Sequence, residues 1–76
     1  MSLNEEALKS ANEVIGWARE AVAAGKPAKA IRQLDSAIAD GAAEIAAYST
    51  REPFPGGLAA VTAAQAVLVS ARAEVA

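Results

Sequence analysis

The chain has 76 residues, no Cys, no His, seven basic against nine acidic side chains, and 22 alanines. Without Cys or His it has no disulfide and no ordinary zinc, iron–sulfur or haem ligation, and it lacks the commonest general base and the most reactive nucleophile, so no enzyme, metal or cofactor is expected. A net charge of −2 lacks the basic footprint of nucleic-acid binding, and one domain of this size buries only roughly 60% of its unfolded surface.

Alanine at this density, with no alternating β-branched run, predicts helices, because Ala loses no side-chain entropy when a helix forms. Ser2-x-x-Glu5 has the form of a capping box and starts helix 1. The preceding and adjoining residues, Met1-Ser2-Leu3-Asn4-Glu5-Glu6, are polar and acidic where an export signal is basic and then apolar, so a cytoplasmic location is expected. Leu8, Ala11, Ile15, Ala18 and Val22 recur at intervals of 3 and 4, Ala7, Val14 and Ala21 widen the stripe, and Gly25 ends it: helix 1 is predicted over about 3–24. Glu6, Glu13 and Glu20 fall every seven residues on the outer face, in a row about 10.5 Å apart that cannot converge on a pocket; they are read as solvated.

Pro27 suits the first position of helix 2, where its missing N–H has no partner to lose. Ile31, Leu34, Ile38, Gly41, Ile45 and Tyr48 keep helical spacing, which predicts one helix over about 27–50 that runs through Gly41; there, as at Gly16, a close approach of two helices is expected. Lys26, Lys29 and Arg32 oppose the dipole at the start of helix 2. They are a possible anion site, against the plainer reading of solvation or pairing with Glu20.

Arg51-Glu52-Pro53-Phe54-Pro55-Gly56-Gly57 breaks the helix, and Phe54 is expected to plug the end of a bundle, with packing against Tyr48. Helix 3 is predicted over about 58–74, with Val61, Ala64, Leu68, Ala71 and Val75 inward. Its charge-free helical part, about 14 residues from Leu58, would reach about 21 Å, short of a hydrocarbon core of roughly 30 Å, so no membrane span is expected. The other faces of helix 3 are apolar as well, and two helices cannot surround a third, so Ala59, Ala66, Val69 and Ala73 should form an exposed apolar patch.

Val14, Trp17, Ala18 and Ala21, then Gly25, then Ala30, Ile31, Leu34, Ala37 and Ile38 resemble one tetratricopeptide repeat over residues 11–41. The resemblance implies a helix hairpin with Trp17 in its core, but Ala42 stands where that family usually closes the second helix with Pro, and no second copy follows at 34 residues. If instead Leu8, Ile15 and Val22 point inward, Trp17 lies at the surface, half-buried at an edge.

The expected fold is therefore all-α: a compact, Ala-rich, antiparallel up-down-up bundle of three helices, completed by oligomerisation. The expected function is a small non-catalytic interaction or structural module that self-associates through helix 3 as a homodimer, because closed two-fold dimers are the commonest oligomers. Its interface draws on Leu58, Val61, Ala66, Leu68, Val69 and Ala73, with Trp17 and Phe54 as anchors. The alternative is a small acidic inhibitor or adaptor, of phage accessory type in size, that docks as a monomer on a larger assembly through the patch around Val69 with Trp17 or Phe54. An enzyme using a carboxylate and Tyr48 ranks last.

Overall fold

The computed structural model describes residues 3–50 and 57–75, with side chains over 5–48 and 57–75. Ser2 of the expected capping box and Phe54, the expected plug, lie outside the described residues. Three helices are present, α1 (Leu3–Ala23), α2 (Pro27–Thr50) and α3 (Gly57–Val75), and each packs on the other two.

The α1–α2 turn follows from Gly25. Its φ of +77° is the left-handed conformation that costs glycine least, and it lets the Lys26 N–H donate to the Ala21 carbonyl at 2.8 Å and the Gly25 N–H to the Val22 carbonyl at 3.0 Å. Two carbonyls at the end of α1 are thereby satisfied, and the chain reverses. The Lys26 carbonyl then accepts from the Lys29 and Ala30 N–H groups at 3.1 and 3.3 Å, making Lys26 the N-cap and Pro27 the first residue of α2.

Chain direction is read from which ends meet. Ile15, Ala18 and Val22 late in α1 share a cleft with Pro27 and Leu34 early in α2 and with Ala71 and Val75 late in α3. Ala7, Ala11 and Val14 early in α1 share another with Ala37, Gly41 and Glu44 of α2 and with Val61 and Leu68 of α3. The bundle therefore runs up, down and up, with α3 parallel to α1.

The core is built from small residues around a few large ones. Ala11, Ile15, Ala18 and Ala21 of α1, Ala30 and Leu34 of α2, and Leu68 of α3 form one buried cluster, with Leu34 fully enclosed. The phase of α1 lies between the two that the sequence allowed. Ala18 and Ala21 point inward together with Ile15, Val22 is exposed, and Trp17, one step past the buried arc, stays 54% exposed.

α2 continues through Gly41 because α3 uses the space there. Gln65 of α3 lays its amide over the glycine, where a Cβ would stand 3.0 Å from its Cδ and closer still to its Oε1. Its Nε2 donates to the Ile38 carbonyl at 2.8 Å. Gly16 does not have the close approach expected of it, since a Cβ there would meet nothing within 4 Å. Near the other end of α2 the Tyr48 ring lies on Gly57, where a Cβ would come to 2.9 Å from Cε1. The first turn of α3 thus packs directly against that ring.

Candidate functional site

α3 contains fifteen consecutive uncharged residues from Gly57 to Ala71, then Arg72 and Glu74. The bundle covers one side of it: Gly57, Ala60, Val61 and Leu68 are the buried residues. Val61 and Leu68, expected inward by their spacing and also named for the interface, belong to the protomer core alone; the helical phase that carries Ala60 inward takes them with it. Leu58, Thr62, Ala66, Val69 and Ala73 fall on the opposite side and are exposed, with Leu58 at 38% and Val69 at 50%. Their spacing of 4, 4, 3 and 4 makes a continuous stripe with no charge in it.

The whole of α3 is longer than its charge-free part. α3 has 19 residues, roughly 28 Å at 1.5 Å per residue, because the helix continues through Arg72 and Glu74 and begins at Gly57. By length and composition alone it is long and apolar enough to cross a membrane, although 22% of that segment is buried inside the bundle.

Trp17 does not join this stripe. It lines a cleft formed by the end of α1 and the start of α2, together with Glu20, Lys26, Lys29 and Gln33 and no residue of α3. An adaptor surface combining Val69 with Trp17 is therefore not assembled, because the two side chains belong to different faces of the bundle. Phe54, the other expected anchor, lies outside the described residues.

The three cations at the start of α2 do not converge either. Lys26 and Lys29 line the Trp17 cleft with Glu20, whereas Arg32 is exposed elsewhere on the helix and does not contribute to it. Of the N–H groups in that first turn, Pro27 has none and those of Lys29 and Ala30 donate to Lys26. The buried Gln33 Oε1 has no hydrogen-bond partner, but an acceptor offers nothing to an anion.

On the other side of α3, Arg72 Nε donates to Asp35 Oδ1 at 2.8 Å, tying the end of α3 to α2 across a solvent-accessible surface. No group of three or more metal-ligating side chains occurs among the described residues. Glu6, Glu13 and Glu20 are all exposed, as their seven-residue spacing required.

Two features escaped sequence reasoning. The Gln65 amide over Gly41 pairs a polar residue with a helix glycine 24 positions away, and no local signal links them. The exposed Val22 lies on the rim of the apolar cleft with Ala71 and Val75; the 3-4 spacing alone counted it as core. No protein-family model, no curated protein and no solved structure matches this chain.

Proposed function

We propose that the protein is a small non-catalytic interaction module that self-associates through the outer face of α3. The observation that carries this reading is the exposed, charge-free stripe of Leu58, Thr62, Ala66, Val69 and Ala73, with Val69 half exposed. Contiguous apolar surface on a small protein is costly to leave in water and marks an interface. A chain with no Cys for a disulfide, and no metal-ligand cluster among the described residues, gains stability from such an interface as its own concentration rises.

The stripe is narrow. A face about 28 Å long and about 10 Å wide offers about 300 Å² per copy, below the ~800 Å² per partner of a standard stable interface. Such an area fits a weak, reversible association and not a permanent dimer.

Light scattering coupled to size-exclusion chromatography, between about 10 μM and 1 mM, is the test. The native chain should move from monomer mass toward dimer mass over that range, and Val69→Glu should remain monomeric with unchanged helicity. A Val69→Glu chain that dimerises as the native one does removes α3 from the interface. A native chain that stays monomeric at the top of the range, yet co-sediments with phosphatidylcholine vesicles, would mean that lipid covers the stripe instead.

A further inference from the structure

We infer that the apolar cleft at the α1–α2 turn end of the bundle binds a free α-amino acid with a large apolar side chain. All three helices line it: Ile15, Arg19 and Val22 of α1, Leu34 of α2, and Glu74 and Val75 of α3. It has a volume of about 260 Å³ and reaches the core, since buried Ile15 and fully enclosed Leu34 are part of its wall. That volume lies above the roughly 150 Å³ of a cavity that takes benzene and below the roughly 300–1,000 Å³ of pockets for drug-sized ligands. A side chain the size of leucine's or phenylalanine's falls in that interval. Val22 stays 45% exposed on the rim, so a bound side chain takes apolar surface of both partners out of water.

Two opposite charges choose the head group. Arg19 and Glu74 are the charged residues of the lining; both are exposed, they stand on different helices, and neither has an ion-pair partner among the described residues. The Arg19 guanidinium presents a planar fork of donors that matches a carboxylate, and the Glu74 carboxylate accepts from an ammonium. Glu74 also stands in the last turn of α3, where the helix dipole favours a cation. A ligand that carries both charges above an apolar side chain satisfies every kind of group the cleft presents. A fatty acid would set its carboxylate beside Glu74, and a simple amine would set its ammonium beside Arg19. The cleft at the other end of the bundle offers Asp40 and Glu44 with no cation, so it does not suit the same ligand. The site shares no residue with the outer stripe of α3 and does not depend on self-association.

The test is a titration of the isotope-labelled chain with L-phenylalanine, followed in methyl NMR spectra. The probes 3-phenylpropionate and 2-phenylethylamine keep the ring and lose one charge each. Up to about 20 mM, a range set by the small binding energy open to so small a ligand, L-phenylalanine should shift the Ile15, Val22, Leu34 and Val75 methyls along saturable curves and leave Val61, at the other cleft, unmoved. Each singly charged probe should bind at least about threefold more weakly, the worth of one exposed ion pair. Arg19→Gln should bring L-phenylalanine down to the affinity of 2-phenylethylamine, and Glu74→Gln to that of 3-phenylpropionate, with helicity unchanged because both positions are exposed.

Absence of a saturable shift at these methyls would overturn the site. Equal affinity for all three compounds would overturn recognition of an amino acid and leave a cleft that reads only the ring. A preference for L-phenylalanine that survives both substitutions would overturn the roles of Arg19 and Glu74.

Discussion

The α1–α2 hairpin and α3 solve the problem of a small core differently. The hairpin is amphipathic: Ala11, Ile15, Ala18, Ala30 and Leu34 are buried, while Glu6, Glu13 and Glu20 cover the outside of α1. α3 is apolar on both sides, and the bundle covers only the side that carries Ala60, Val61 and Leu68. Val61 and Val69, on one helix, thus have the same chemistry and different environments. Apolar character alone therefore does not distinguish core from interface in an Ala-rich chain; the number of helices available to cover each face does.

The comparison breaks most sharply by truncation on the two sides. Leu34→Ala, in the fully enclosed site, and Leu68→Ala, on the inner side of α3, should each lower the unfolding free energy by about 2–5 kcal/mol in urea titrations, enough to leave much of so small a protein unfolded. Val69→Ala, on the outer side, should change monomer stability by less than about 0.5 kcal/mol while weakening the proposed self-association. Similar losses for Leu68→Ala and Val69→Ala in dilute monomer would erase the distinction between the faces.

The glycines sharpen it next. Gly25→Ala places a side chain at φ +77° and should cost about 1 kcal/mol, read as a fall in the thermal midpoint. Gly16→Ala meets open space in a helix interior and should stabilise by about 0.5–1 kcal/mol. Gly41→Ala gains the same helix propensity but displaces the Gln65 amide from the Ile38 carbonyl, a bond worth about 1 kcal/mol, so its net effect should fall clearly below that of Gly16→Ala. A Gly41→Ala gain equal to that of Gly16→Ala would show that Gln65 contributes nothing to holding α3 on α2.

The smallest effect belongs to the Arg72–Asp35 pair. Asp35 is 56% exposed at its side chain, so Arg72→Gln should cost only a few tenths of a kcal/mol and less as salt is raised. A loss well above about 1 kcal/mol would make this ion pair, and not the apolar inner face, the main tie between α2 and α3.

Helix boundaries were legible because they are local chemistry. Gly25 and Pro27 set the first turn in the expected places, and the observed spans Leu3–Ala23, Pro27–Thr50 and Gly57–Val75 differ from the expected ones by no more than a residue at each end. The apolar excess of α3 was equally legible, since composition reports how much surface needs cover. The division of that excess was legible in part: the 3-4 spacing set Val61 and Leu68 inward and Val69 outward, as observed, and only their added place in the interface, given on apolar character, fell to the core.

By itself, then, the sequence determined three helices, their punctuation, the absence of Cys and His chemistry, and a third helix with more apolar surface than two neighbours can cover. Only the tertiary structure decided the phase of α1 and the contacts between helices: Trp17 outside on the α1–α2 cleft, Val22 exposed, and Gln65 over Gly41. The physical reason is that propensity and capping act within a few residues, whereas rotation of one Ala-rich helix against another changes little in local energy. Contacts from distant positions, large side chains set into small ones, choose among those rotations.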